Sequence, residues 1–283
     1  MKKEFFVSDL AAPVTVREYV RGVCGISART LKNAKYNGDI LVNGLSVHTD
    51  YHVNNGDTLV LETPDIASAS IEPQDLPFDI LAETADYLIV NKPSGMASHP
   101  TLTYKDGTLA NAVMYYYRAI PFTFRLLTRL DVDTSGAAVI AKNAYFAGAF
   151  AQRCPQKTYY AICVGTPEPL SGRIELPIGR DPESLIKRRI DFDGKPSQTL
   201  YRTLSVKQKL SLVEVQPLTG RTHQIRLHMA SIGCPLYGDF LYGTEINGER
   251  TRLHCQKICF SDALNRNVIQ VEAPLPMDFQ KLI

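Results

Sequence analysis

The six cysteines of this chain, Cys24, Cys154, Cys163, Cys234, Cys255 and Cys259, include no Cys-x-x-Cys pair. Scattered through 283 residues, they read as buried thiols and not as a disulfide framework, which fits a reducing compartment. No apolar run is long enough to span a bilayer. Met1-Lys2-Lys3 is followed at once by Glu4 and only a short apolar pair, without the apolar core of a secretory signal, so the expected location is the cytoplasm. Bulk charge is also missing. A formal net charge of +2 does not announce a polyanion-binding protein, and any such surface must come from local clustering.

The nucleotide-cofactor signals are absent too. There is no Gly-x-x-x-x-Gly-Lys-Ser/Thr loop, so Asn91-Lys92-Pro93 is not supported as a base-reading motif of a GTPase, and no Gly-x-Gly-x-x-Gly follows a strand. His223 and His228 are five apart and diverge by about 140° on a helix, so they do not form a metal-binding pair. Ser135 lacks the Gly-x-Ser-x-Gly elbow of hydrolases, and it interrupts what would otherwise be an Asp-Thr-Gly of aspartic proteases, of which there is no second copy. Internal repeats, low-complexity tracts and heptad runs are likewise missing.

What is present is apolar mass for a full core, 45% hydrophobic against 21% charged, in a chain long enough for one large or two domains. Residues from about Pro13 to Glu62 read as a small α+β unit. Helical stretches are expected from Val16 to Val23 and from Ser27 to Lys35, with Ser27 as N-cap, followed by short strands that turn at Asn43-Gly44 and Asn55-Gly56. The two helices carry Arg17, Arg21, Arg29, Lys32 and Lys35 against Glu18 alone, and Arg17 and Arg21 have the spacing of one helical face. Such a set reads equally as a solvated surface or an RNA-contacting one.

The run from Ala67 to Pro77 is small, polar and proline-bearing, the composition of a linker. The expected division is 1–66, a linker at 67–77, and a second domain at 78–283. That second domain alternates strand patterns around Ala137 to Ala141, Tyr159 to Val164 and Leu210 to Val215 with glycine- and proline-rich connections, and helical periodicity is clear around Asn143 to Arg153. The fold class expected is α+β, with a mixed, largely antiparallel sheet and flanking helices.

The segment Leu126 to Ile140 sets a dense polar turn, Arg129-Leu130-Asp131-Val132-Asp133-Thr134-Ser135, at the mouth of an apolar strand. Polar groups there suggest a site, although Asp131 or Asp133 taken alone is first read as a turn-capping carboxylate. In Gln156 to Gly165, alternation sends Tyr159 and Ala161 to one strand face and Tyr160 to the other, and strand tyrosines are ordinarily core.

Five runs in this order, Asn91-Lys92-Pro93-Ser94-Gly95, Arg129-Leu130-Asp131-x-x-Thr134-Ser135-Gly136, Lys157-x-Tyr159-x-Ala161, Thr219-Gly220-Arg221-x-His223-Gln224-Ile225-Arg226-x-His228 and Gly238-Asp239-x-x-Tyr242-Gly243, resemble the RluA-type RNA pseudouridine synthases. The resemblance spans about Ile80 to Pro274, and the module from Pro13 to Glu62 looks like the S-four-type RNA-binding domain. It implies an isomerase that converts uridine to pseudouridine without metal or cofactor. Asp131 is then the catalytic carboxylate, Tyr159 the tyrosine beside the base, Arg226 the partner of Asp131, and Arg129 the arginine that fills the gap left by a flipped base. The family commonly has histidine before that arginine, where this chain has Thr128. In that light the basic helices and the run Lys187-Arg188-Arg189 become RNA-facing candidates, tempered in the second case by Asp191 and Asp193. The implied partner is RNA, ribosomal in preference to transfer RNA, met by a monomer with no membrane association. The local sequence does not choose between a nucleophilic and a proton-abstracting Asp131.

Overall fold

The chain was analysed as a computed structural model that describes residues 2–63, 71–151, 155–243, 246, 248–261 and 268–282. Two sheets with separate apolar cores account for most of it. The smaller sheet is antiparallel, in the spatial order Lys2–Phe6, Thr58–Glu62, Asp39–Val42, Leu45–Ser46. Asn43 and Gly44 turn the hairpin with φ of 52° and 83°, the pair of positive values that matches strand twist in a two-residue loop.

The first expected helix is divided. An α-helical turn at Val16–Glu18, closed by a capping box between Thr15 and Glu18, runs into a π-helical turn at Tyr19–Val23. The second helix spans Ala28–Asn37, and its first turn is closed by the Ser27 hydroxyl, which accepts the Thr30 N–H at 3.1 Å.

The larger sheet has nine strands. Its main path runs Ser171–Ile174, Thr199–Lys207, Leu210–Pro217, Gln156–Val164, Leu253–Ser261, Ser135–Ala141, Tyr87–Lys92 and Asp79–Glu83, with Val268–Glu272 also paired to Leu253–Ser261. Every pairing is antiparallel except Leu253–Ser261 with Ser135–Ala141. This is the α+β, largely antiparallel fold expected.

Tyr159 and Ala161 join the main core while Tyr160 and Ile162 pack in a smaller cluster around Phe279, so alternation along that strand is as read. The strand Ser135–Ala141 differs from the expected alternation, because all seven of its residues are buried. It lies between two neighbours in mid-sheet and is covered on both faces, which requires a continuous run of small and apolar side chains.

The helix expected at Asn143 to Arg153 begins where read, at Ala144–Ala151, with Asn143 Oδ1 accepting the Phe146 N–H at 2.8 Å; Arg153 and Cys154 lie outside the described residues. Cys24, Cys163, Cys234 and Cys255 are buried free thiols, and Cys259 is half-buried.

The two units touch through this helix. Tyr145 is buried within the core of the smaller sheet, edge-on to Phe5 at 5.3 Å between ring centroids. Beside it Lys3 pairs with Asp86 at 3.1 Å. Of the expected linker, residues 67–70 lie outside the described set. Residues 71–77 are fastened to the larger unit: Asn111 Nδ2 donates to the Glu72 carbonyl at 2.7 Å, and the Gln74 N–H donates to the Asn111 carbonyl at 3.1 Å.

Candidate active site

A cavity of about 450 Å³ opens at the end of the larger sheet, a size in the usual range for small-ligand pockets. Arg129, Asp131, Tyr159, His223 and Arg226 line it together with Lys157 and Thr222. Residues separated by almost a hundred positions thus meet in one concavity.

Asp131 sits on a turn whose backbone is held at successive carbonyls. Ser98 donates its hydroxyl to the Leu130 carbonyl at 2.6 Å and accepts the Leu130 N–H at 3.2 Å. Lys92 Nζ donates to the Val132 carbonyl at 3.1 Å and to the Pro93 and Met96 carbonyls at 2.7 Å each, and the Gly95 N–H also reaches Val132. Ser94 and Arg250 both donate to the Asp133 carbonyl, at 2.8 and 3.0 Å. The run Asn91-Lys92-Pro93-Ser94-Gly95 is therefore the clamp of the Asp131 turn. Lys92 is fully buried, and desolvation, opposed by Asp131 and Asp133, pushes its ammonium down to about 7.

Thr128, which stands where histidine is common in the resembled family, is buried with its hydroxyl accepting the Val139 N–H at 2.7 Å. That bond ties the turn to the central strand. Arg129 projects at the cavity rim and donates to the Thr222 hydroxyl at 3.2 Å.

Arg226 belongs to the helix Gln224–Ser231 and is buried. Its main partner is Asp239, reached by Nε at 2.8 Å and Nη2 at 2.7 Å, whereas Asp131 Oδ2 lies 4.0 Å from Nη1. Asp239 belongs to the Gly238-Asp239-x-x-Tyr242-Gly243 run but was given no role from sequence; a fully buried acid at that position needs a cation, and Arg226 supplies one. Burial alone would lower the guanidinium pKa, but the hydrogen bond and charge of Asp239 outweigh it and raise it. Nη1 is left facing the cavity side of the pair.

A register irregularity against Leu253–Ser261 falls between Thr158 and Tyr159, where the strand lines the cavity. Tyr159 is buried beside Cys255, and desolvation followed by that neighbour pushes its phenol well above the usual range. Tyr159 thus stays protonated and presents a neutral aromatic surface. Lys157, two residues earlier, lines the same cavity with its ammonium lowered by burial.

His223 and Tyr242 complete the surroundings. His223 Nε2 is 4.0 Å from Asp131 Oδ2 and Nδ1 is 2.9 Å from the Tyr242 hydroxyl. His228, on the same helix, is occupied by the Thr199 hydroxyl and the Leu176 carbonyl.

The other candidates fall elsewhere. Arg17, Arg21, Lys32 and Lys35 line one groove of the smaller unit, with Tyr36 and Thr49. Glu18, the acid among them, folds back to accept the Thr15 N–H, and that bond lowers its pKa. Arg29 and Lys32 line a cleft between the two units, opposite Arg125 and Gly148. Lys187, Arg188 and Arg189 lead into the short strand Arg188–Ile190; Arg189 pairs with Asp191 at 3.6 Å, and the Arg188 N–H donates to the Tyr242 hydroxyl at 2.8 Å.

Comparison with known proteins gives concordant results. The family profile described as RNA pseudouridylate synthase matches residues 86–231. The uncharacterized RNA pseudouridine synthase YjbO of Bacillus subtilis is 35% identical over 95% of this chain and 98% of its own length. The ribosomal large subunit pseudouridine synthase D of Haemophilus ducreyi is 33% identical, over 86% of this chain and 82% of its own. Among solved structures, human RNA pseudouridylate synthase domain containing 1 superimposes with a TM-score of 0.61 at 29% identity, over 73% of this chain and 87% of that one. With a family match over half the sequence and near full-length relatives above 30% identity, the chain belongs to the RNA pseudouridylate synthase family and is an isomerase.

Proposed function

We propose that this enzyme isomerises specific uridines of large-subunit ribosomal RNA to pseudouridine, using the Asp131 carboxylate and no cofactor. The observation that carries the reading is the meeting of Asp131, Tyr159 and Arg226 in one cavity, with Asp131 the accessible acid and Asp239 the buried one. The ribosomal substrate is suggested by relatives that are named for the large subunit.

The reaction breaks the bond from N1 of uracil to the anomeric carbon, turns the base, and joins C5 to that carbon. It is redox-neutral and consumes no water, so its balance calls for no electron carrier. Asp131 acts as nucleophile or as base toward the sugar, with the Arg226 guanidinium 4.0 Å from its carboxylate, and the neutral ring of Tyr159 supports the base while it is detached.

A stacked uridine must first leave the helix. Arg129 stands at the cavity rim, and its planar guanidinium suits the vacated place. The smaller unit, read as an S-four-like RNA-binding domain at 1–66, adds phosphate contacts through Arg17, Arg21, Arg29, Lys32 and Lys35, and Lys187, Arg188 and Arg189 add a third group. The enzyme is read as a cytoplasmic monomer acting on RNA.

The test is mapping of pseudouridines in total RNA, with and without the gene, by carbodiimide labelling and primer extension. Loss of one or more ribosomal positions is expected, restored by wild-type protein and not by Asp131→Asn. Loss confined to transfer RNA would move the substrate. An unchanged map would make the protein a non-modifying RNA-binding factor.

A further inference from the structure

The His223 side chain neither joins an apolar core nor caps its helix. It stands at the N-cap of Gln224–Ser231 in a left-handed conformation, φ 57°, and makes no side-chain capping bond. Non-glycine residues reach that region at a cost of order 1 kcal/mol, so the surroundings hold it there. The gain is the placement of the imidazole between Tyr242 and Asp131.

The Tyr242 hydroxyl accepts the Arg188 N–H at 2.8 Å and faces His223 Nδ1 at 2.9 Å. Burial raises the phenol pKa and, outweighing the pull of Asp131, lowers that of the imidazole. Both groups are therefore neutral near pH 7. With its oxygen already accepting from Arg188, the neutral Tyr242 is placed to donate its O–H as a hydrogen bond to Nδ1. The imidazole proton then resides on Nε2, directed at Asp131 Oδ2.

Arg226 Nη1 is also 4.0 Å from that same oxygen. Two donors thus stand 4.0 Å from Oδ2. At 4.0 Å neither contact is a hydrogen bond, and a shift of about 1 Å closes either. Arg226 is already committed to Asp239 by two bonds. A neutral N–H fixes the carboxylate without adding a second cation that would weaken it as nucleophile or base.

We propose that His223 is a positioning residue for Asp131: with its tautomer set by Tyr242, its Nε2–H holds Oδ2 so that Oδ1 faces the target uridine. The proposal rests on Asp131 being the reacting carboxylate.

Single-turnover rates and KM of the full chain on its RNA substrate, for His223→Asn, His223→Gln, Tyr242→Phe and Asp131→Asn, test it. Asparagine tolerates a left-handed backbone and keeps a polar group where Nδ1 stands, but it has nothing at Nε2. Glutamine carries an amide N–H that reaches the Nε2 position. The expected result is a fall in kcat of about tenfold for His223→Asn at unchanged KM, with several-fold recovery in His223→Gln. Tyr242→Phe, which leaves the tautomer unfixed, should lose several-fold in kcat, and it serves if the asparagine variant does not fold. Wild-type kcat in His223→Asn, wild-type kcat in Tyr242→Phe, or a change in KM alone would overturn the proposal. So would a glutamine variant no better than asparagine. If Asp131→Asn turns over, the reading of Asp131 itself fails; if it is inert while His223→Asn is fully active, only the role of His223 fails.

Discussion

Arg226 donates to Asp239 through Nε and Nη2 at 2.8 and 2.7 Å, while the same guanidinium stands 4.0 Å from Asp131. The side chain of Asp239 is 0% exposed and that of Asp131 is 26% exposed, which separates an anchoring acid from one that solvent and substrate reach. A buried pair of this kind is weak as a source of net stability and costly to break, because each partner left alone is an unpaired charge away from water.

Removing either member of the pair should therefore destabilise strongly. Asp239→Ala and Arg226→Ala are each expected to cost about 3–5 kcal/mol, and the double replacement Arg226→Met with Asp239→Leu to cost much less than the two singles combined. All should be inactive. Urea unfolding of the four proteins checks the first statement, and a double mutant as unstable as the sum of the singles would contradict it.

Much of this site was legible as ordered motifs, because each motif sits on a short stretch held by local backbone geometry. Asn91 to Gly95 and Arg129 to Gly136 were both identified, but what one does for the other was not. Lys92 reaches the carbonyl of Val132 forty residues on, and no periodicity reports such a bond. Asp239 escaped for the same reason. The motif marks its position, whereas its role depends on the Arg226 side chain thirteen residues earlier. His223 carries no signal in sequence beyond its place in a motif, and its left-handed φ, which a histidine does not advertise, is what sets it beside Asp131. Thr128 illustrates the reverse: a departure from the resembled family keeps the turn anchored by bonding the Val139 N–H. Alternation held along Gln156–Val164 and failed at Ser135–Ala141, since the number of covered faces is set by neighbours distant in sequence.

Acid should unfold this protein partly through His254. It is buried with Nδ1 2.9 Å from the Ser135 hydroxyl, and desolvation pushes its pKa down to about 4. In the unfolded chain the same imidazole titrates near about 6.5. Between these values the unfolded state binds more protons, so stability falls as pH drops from about 6.5 to about 4 and levels below that. His223 and His228 are shifted in the same direction and act with the same sign. His254→Gln should flatten the pH dependence of the unfolding midpoint across this window. An unaltered slope would show that His254 is not among its sources.

Gly136 is expected to resist any side chain. Its φ is 110°, and a Cβ there would collide with the backbone of Cys255, its partner in the parallel pairing. Gly136→Ala must part Ser135–Ala141 from Leu253–Ser261 or distort both, five residues from Asp131. A loss of more than about 1 kcal/mol in thermal or urea unfolding is expected, with activity falling further than stability alone explains. Gly220, which has open space around its Cβ position, is the control: alanine there should be tolerated by the fold.

Arg21 and Lys32 offer a test of the smaller unit that leaves the chemistry untouched. Both are exposed in the groove that also holds Arg17 and Lys35, and neither approaches the Asp131 cavity. If they meet phosphates, each neutralises about one charge and releases about one counterion, so log Kd for RNA should vary less steeply with log salt by about 1 for each residue removed. Arg21→Gln and Lys32→Gln should weaken RNA binding at low salt, converge with wild type as salt rises, and leave kcat at saturating RNA unchanged. A solvated surface with no RNA contact predicts parallel salt plots for all three proteins. A fall in kcat at saturation would mean that the groove also orders the catalytic unit, through the helix that buries Tyr145 in the smaller core.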